Sequence, residues 1–338
     1  MAKRILVSGA TGLIGSALVK KFAAEGHSVI AAVRNVEKAR KMFAGLANVE
    51  IAEWDVTKPG GPRSCAAADA RERGLPVDWF VHAASETSSR AFVEKPVETI
   101  ASILDGTRNA LEFARAAKIG SMVYLSTMEV YGAPTAARVA EGDYGYLDPV
   151  AVRSCYPEAK RMAENLCVSY ASEYGVPVKI ARLTQTFGEG VRYDDGRVFA
   201  EFARAVLEKR DIVLKTEGTT ARCYCYLGDA LDAIETILEK GETATPYTVA
   251  NEDTFCTVRE MAEALCAAHR ESGSKVAFDF DGAAAHGFAP PFRMRLDCSR
   301  LRALGWEPKV GLMEMFDRMM KGMSSACGAR KFTQEGVS

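Results

Sequence analysis

Two rhythms of apolar and polar positions run through the first 180 or so residues. Short apolar runs at 4–8, 27–33, 49–54, 77–82, 121–126 and 178–183 predict strands. Longer stretches at 16–25, 36–43, 96–118 and 157–174 carry apolar residues at helical spacing, for example Ala17, Leu18 and Phe22, and predict helices. A further, weak Ala/Arg-rich helix is expected after the break Pro59-Gly60-Gly61-Pro62. Strands separated by helices at this spacing imply right-handed crossovers and a mostly parallel sheet covered on both faces. The predicted fold class is therefore α/β, a Rossmann-type doubly wound sheet.

Beyond Gly188 the rhythm loosens. A helix is expected at 198–209, strands at 212–215 and 222–227, a helix at 229–239, a strand at 247–250 and a helix at 258–269. This reading assigns residues 1–187, completed by about 229–250, to the larger domain. Residues 188–228 and 251–322 then form a smaller mixed lobe that binds substrate, and the Ser/Gly/charge-rich stretch 323–338 is a flexible tail.

Composition removes several function classes. The 338 residues carry 43 Lys plus Arg against 44 Asp plus Glu, so a formal charge of -1 offers no general attraction for nucleic acid or an anionic membrane. Nine cysteines, in no repeated framework, and an N-terminus without a signal-like apolar region predict a reduced, cytoplasmic chain. No apolar run approaches the roughly 20 residues that span a bilayer. Cys223 and Cys225 share a strand face without further ligands, and His27, His82, His269 and His286 form no ligand pattern, so no metal is expected.

The first chemical signal is Gly9-Ala10-Thr11-Gly12-Leu13-Ile14-Gly15, placed between a strand and a helix. Glycines at this spacing let the backbone turn tightly and approach a pyrophosphate, which the helix N-terminus favours electrostatically. Residues 1–187 thus read as a dinucleotide-binding domain, with Gly9, Thr11, Gly12, Leu13, Ile14, Gly15, Val56 and Ala83 in its cofactor site. At the end of the second strand stands Arg34, where a carboxylate would favour NAD. With Lys38 or Arg40 it suits the 2′-phosphate of NADP, which is slightly preferred over NAD; stacking on adenine or a plain surface position is the alternative. Asp55 is placed to accept from the adenine amino group, or is simply a turn residue.

Tyr156 and Lys160 stand at i and i+4 in Ser154-Cys155-Tyr156-Pro157-Glu158-Ala159-Lys160, and so share a helix face. An ammonium beside a phenol stabilises the phenolate and can hold nicotinamide ribose, which suits proton removal from an alcohol as its hydride leaves. Upstream, Ser126-Thr127-Met128-Glu129 ends an apolar strand at the edge where such sheets bind ligands. Thr127 can bond the oxygen that becomes a carbonyl, or merely cap a turn. Glu129 can move a proton at the next carbon, or form a salt bridge that shapes the pocket.

Together these motifs resemble the extended short-chain dehydrogenase/reductase superfamily, in its NAD-dependent epimerase/dehydratase branch of nucleotide-sugar enzymes, over roughly residues 3–320. The resemblance implies a tightly held cofactor that oxidises a sugar hydroxyl, usually at C4. It gives Tyr156 the role of base, with Lys160 and Thr127 beside it as catalytic partners and Glu129 as a further candidate. It places Gln185, Arg197, Arg222, Arg293 and Arg295 on the nucleotide-diphosphate sugar, with Arg222 gripping the diphosphate.

Local likeness to UDP-glucuronate decarboxylases runs through Arg153-Ser154-Cys155-Tyr156 and Lys160-Arg161. Three departures bear on the reaction. Met128 replaces the Asp of the dehydratases, while Gln185 and Ile103 each stand where an Asn is usual. The expected activity is epimerisation through a transient keto-sugar; decarboxylation, 4,6-dehydration or sugar reduction are the enzymatic alternatives, and a dinucleotide-binding sensor the non-enzymatic one. A homodimer is expected through a four-helix contact of segments 96–118 and 157–174, using Leu104, Ala110, Leu111, Ala114, Met162, Leu166 and Tyr170.

Overall fold

In the computed structural model, which describes residues 1–63, 77–280 and 292–334, with side chains to 325, the chain opens as alternating strands and helices. These are β1 (Arg4–Ser8), α1 (Leu13–Ala24), β2 (Ser28–Val33), α2 (Val36–Met42), β3 (Val49–Glu53) and β4 (Trp79–His82). The short α3 (Ala91–Glu94) leads into α4 (Pro96–Ala116), then β5 (Ser121–Thr127), α5 (Cys155–Tyr174) and β6 (Val178–Leu183). The helix expected after Pro62 falls largely outside the described residues.

The second part holds β7 (Gln185–Phe187), α6 (Val198–Leu207), β8 (Ile212–Leu214), β9 (Ala221–Tyr226), α7 (Leu227–Lys240), β10 (Pro246–Val249) and β11 (Asn251–Thr257). It closes with α8 (Val258–Ala268), β12 (Val276–Phe278), β13 (Arg293–Met294), α9 (Ser299–Arg302) and α10 (Leu312–Gln334).

A seven-stranded sheet runs in the order β10-β6-β5-β4-β1-β2-β3, every neighbouring pair parallel. Such strands are covered on both sides, and β5 and β6 are buried at every position, Lys179 and Arg182 of β6 included. Leu18, Val19 and Phe22 of α1 and Ala230, Ile234 and Ile237 of α7 fill the core on one face. Ile103, Ala110 and Leu111 of α4 and Ala159, Ala163 and Cys167 of α5 fill it on the other.

The smaller unit is built around β9, which pairs with β11, β13 and β7, while β8 and β12 form a separate ribbon. Phe187, Phe199, Met261 and Phe316 make its core. Its first strand is β7, so the chain enters this sheet at Gln185, before the expected break at Gly188; α7 and β10 then return to the large sheet. The stretch expected as a flexible tail begins inside α10, which runs on to Gln334, and Met323 is buried against the small core; residues 335–338 lie outside the described residues. Among the described residues no helix is long and apolar enough to cross a membrane.

Candidate active site

Strand order reverses between β1 and its neighbours β2 and β4, so the loops leaving β1 and β4 diverge from a crevice at the carboxyl edge of the sheet. The glycine loop follows β1. Gly9 has φ +68°, and a Cβ there would lie 2.7 Å from Ala84 Cα; a Cβ on Gly15 would lie 2.3 Å from the Gly9 carbonyl oxygen. Both glycines are thus required by close packing of strand, loop and helix. Gly12 is exposed, a Cβ there would meet only the Gly9 oxygen, and no side chain caps the N-terminus of α1.

These features fit the pyrophosphate of a dinucleotide. Thr11, Leu13 and Ile14 line the turn, Ala83 lies across from it with its amide on the Ser8 carbonyl, and buried Val56 gives its carbonyl to Asn109 at 2.9 Å. At the far end, Arg34 is exposed and makes no hydrogen bond or ion pair among the described residues, while Lys38 Nζ reaches the Thr11 carbonyl at 3.3 Å. Arg40 turns away to Glu37 at 2.7 Å. The Asp55 carboxylate takes the Thr57 hydroxyl at 2.7 Å, and this bond, above all, holds it below the usual range.

The catalytic candidates converge where β5 ends against α5. Tyr156 is buried, its ring lying on Phe92 with centroids 4.2 Å apart. Burial, reinforced by the charge of Glu129, pushes its phenol up, while a hydrogen bond with Thr127 and the charge of Arg153 work the other way. Lys160, at 2% exposure, donates to the Leu125 carbonyl at 2.9 Å, and burial pulls its amine down to about 8 despite the opposing charge of Glu164. Thr127 also caps the turn that follows it, accepting from the Glu129 amide at 3.2 Å.

Glu129 forms the salt bridge left open as its alternative role, with Arg153 at 3.1 Å. The Arg153 guanidinium in turn lies 4.8 Å from the Phe92 ring centroid, so Tyr156, Phe92, Arg153 and Glu129 are linked in one chain of contacts. Met128 is buried at 3% exposure, its sulfur 3.2 Å from the Thr184 hydroxyl. Ile103 is likewise buried in the core.

Of the substrate candidates, Arg222 stands out physically. Its Nε is buried without a hydrogen-bond partner among the described residues, and its guanidinium lies 4.9 Å from the Phe292 centroid. Arg293 and Arg295 are exposed and both lean on Phe255, at 5.6 and 5.7 Å, so the three arginines divide between two rings. Arg197 is held by Asp195 through Nη2 at 2.7 Å. Gln185 is partly buried on β7, in register with Tyr224.

Several neighbours of the site carried no assigned role in the motif reading. His82, at the end of β4, bonds Ser8 Oγ at 2.7 Å, and burial together with the Lys160 charge pulls it down to about 3, leaving it neutral. Glu164 and Arg182 form a buried ion pair at 2.7 Å. A helix turn beyond Lys160 was the available signal for Glu164; nothing local marks Phe92. Glu25, His27 and Glu235 also converge, but the Lys21 amine lies among them, 2.5 Å from Glu25 and 2.8 Å from Glu235.

Comparison with known proteins agrees with this architecture. The chain is 31% identical to UDP-glucuronic acid decarboxylase 5 of Arabidopsis thaliana over 97% of its length and 91% of that protein. It is 30% identical to UDP-glucuronic acid decarboxylase 1 of Danio rerio over 95% of its length and 73% of that protein. Among solved structures it resembles an epimerase from Methanothermobacter thermautotrophicus, with a TM-score of 0.80 at 19% identity, covering 98% of this chain and 95% of that one. A UDP-glucose 4-epimerase from Thermotoga maritima matches with a TM-score of 0.78 at 21% identity, covering 96% and 99%. Residues 5–251 match the model of the NAD dependent epimerase/dehydratase family, and the chain, an enzyme of nucleotide-sugar type with that family's fold, belongs to it.

Proposed function

We propose that the enzyme is a nucleotide-sugar epimerase working through transient oxidation of a sugar hydroxyl, at C4. The observation that carries this reading is the convergence of Tyr156, Lys160 and Thr127 beside a position, Met128, that is buried and has no acid. Bound nicotinamide supplies the acceptor and later donor of the hydride. As the phenolate, which the Lys160 ammonium favours, Tyr156 takes the hydroxyl proton and becomes the neutral phenol, while Thr127 hydrogen-bonds the same substrate oxygen. Without an acid at Met128 the expulsion of a 6-hydroxyl has no proton donor, which disfavours dehydration. With Glu129 engaged by Arg153, turnover of the keto-sugar needs only the first three groups.

Arg222, with its unpartnered Nε, is the proposed grip on the diphosphate, with Gln185, Arg197, Arg293 and Arg295 as further contacts. Exposed Arg34, with no carboxylate after β2, supports NADP over NAD. A homodimer through α4 and α5 is also proposed, with only Met162 of the expected residues among its exposed apolar side chains. Ala110, Leu111 and Ala114 are buried against the chain's own sheet, whereas Val97, Ile100, Met162, Val168 and Tyr174 remain exposed.

Decarboxylation is the second reading, favoured by Arg153, a guanidinium beside Tyr156 that a uronic carboxylate can engage, and by the names of the relatives. Incubation with UDP-, CDP-, GDP- and dTDP-sugars and uronic acids, followed by proton NMR and mass measurement, separates the two. Epimerisation leaves the mass unchanged, and direct C4 turnover brings in no solvent deuterium. Stoichiometric carbon dioxide release from a UDP-uronic acid would replace the first reading with the second.

A further inference from the structure

One helical turn beyond Lys160, the carboxylate of Glu164 is buried at 7% exposure. Its Oε1 accepts from Ser126 Oγ at 2.5 Å and from Arg182 Nε at 3.0 Å, and its Oε2 accepts from Arg182 Nη2 at 2.7 Å. Arg182, on β6 and 1% exposed, gives its other donors to the Glu141 carbonyl at 2.8 Å and to the Tyr144 hydroxyl. Every charge and most donors in this network are therefore matched, as a buried ion pair requires.

The placement of Ser126 gives the network its consequence. This residue stands between Leu125, whose carbonyl accepts from Lys160 Nζ at 2.9 Å, and Thr127, whose hydroxyl meets Tyr156. One carboxylate thus ties the end of β5 to the helix that carries both Tyr156 and Lys160.

We infer that Glu164 is a positioning residue for the site: it clamps Ser126, and with it the Leu125 carbonyl and the Thr127 hydroxyl, against α5, and sets a negative charge one turn from the Lys160 amine. This rests on the proposed roles of Tyr156, Lys160 and Thr127. Around Lys160 the other titratable groups are Tyr156 and Cys167 on its own helix, Tyr124 on β5 and His82 on β4. Burial holds His82 neutral and pushes Tyr124 and Cys167 up, so Glu164 is the anion that sustains the ammonium, with Arg182 beyond it.

The test uses the full-length enzyme with its cofactor bound and two variants. Lysine labelled with carbon-13 at Cε reports the Lys160 titration by NMR without turnover. In Glu164→Gln the Lys160 midpoint should fall by about one pH unit or more, and the alkaline limb of kcat should fall with it. Ser126→Ala, which leaves the ion pair intact, should keep the Lys160 midpoint but lower kcat about tenfold with KM little changed, because only the clamp on the strand end is lost.

An unmoved Lys160 midpoint in Glu164→Gln, or unchanged kcat in Ser126→Ala, would overturn the proposal. If Glu164→Gln does not fold, the Ser126→Ala arm decides it. Failure of the underlying catalytic reading looks different: Tyr156→Phe would then retain turnover, whatever Lys160 does.

Discussion

Phe92 lies flat on the phenol of Tyr156, with ring centroids 4.2 Å apart and planes 15° from parallel. The ring comes from α3, some sixty residues upstream, and its carbonyl accepts from the Cys155 thiol at 3.3 Å. This contact covers one side of the proposed proton-transfer group with hydrocarbon and contributes to the burial that pushes the phenol up, against which the proposed base needs the nearby Lys160 ammonium.

Replacing Phe92 with Leu should therefore cost about 1 kcal/mol, the worth of an offset aromatic pair, and lower kcat several-fold as Tyr156 gains freedom. Urea melts and steady-state rates measure both. An unchanged rate with lowered stability would show that the stack is structural only.

Tyr156→Phe removes the hydroxyl and keeps the ring. The melting temperature and cofactor affinity should stay near those of the wild type while turnover drops roughly 100-fold or more, the scale of a positioned proton-transfer group. Retained turnover would assign the proton to another base.

The Lys160 amine is shifted from the usual 10.5 to about 8 by burial, so between those values the unfolded chain binds more protons than the native one. Stability therefore rises with pH through that window, and below it the cost of the buried charge is fully present. Lys160→Met should abolish turnover yet raise stability at neutral pH, by at most on the order of 3 kcal/mol. The gain is reduced by the Leu125 carbonyl left without its donor. Urea melts at neutral pH and near pH 10 should show the advantage shrinking as pH rises. A pH-independent difference would mean that the ammonium is not strained in the native state.

Arg34→Glu should reverse cofactor choice. Calorimetric titration of the stripped wild type is expected to give a dissociation constant at least tenfold lower for NADP than NAD, and the variant should lose NADP affinity while holding NAD. Equal affinities in the wild type would remove Arg34 from cofactor selection.

Much of the proposed catalytic arrangement is legible before folding because it is local. The i and i+4 spacing of Tyr156 and Lys160 fixes a shared face as soon as 155–174 is helical, and Pro157 at the first turn leaves that helix intact. Gly9, Gly12 and Gly15 mark a turn by their spacing; Gly9 needs its positive φ and Gly15 the close approach of the Gly9 carbonyl, both set within seven residues of chain.

Contacts distant in sequence obey no such rule. Apolar Ala110, Leu111 and Ala114 suit an interface or a core equally well, and only the sheet lying against α4 buries them. The burial of Met319 and Met323 is likewise a tertiary outcome, since only the small core gives that face of α10 a place.

By itself, then, the sequence determined the doubly wound sheet, the glycine turn after β1 and the shared helix face of Tyr156 and Lys160, all set by short-range periodicity and backbone sterics. Tertiary structure alone decided that Phe92 covers the phenol, that Arg153 engages Glu129, and that Glu164 pairs with Arg182. Those facts depend on which side chains α3, β5, β6 and α5 bring within a few ångströms. Desolvation and Coulomb energy, which set the site's chemistry, are properties of that packed arrangement and not of spacing along the chain.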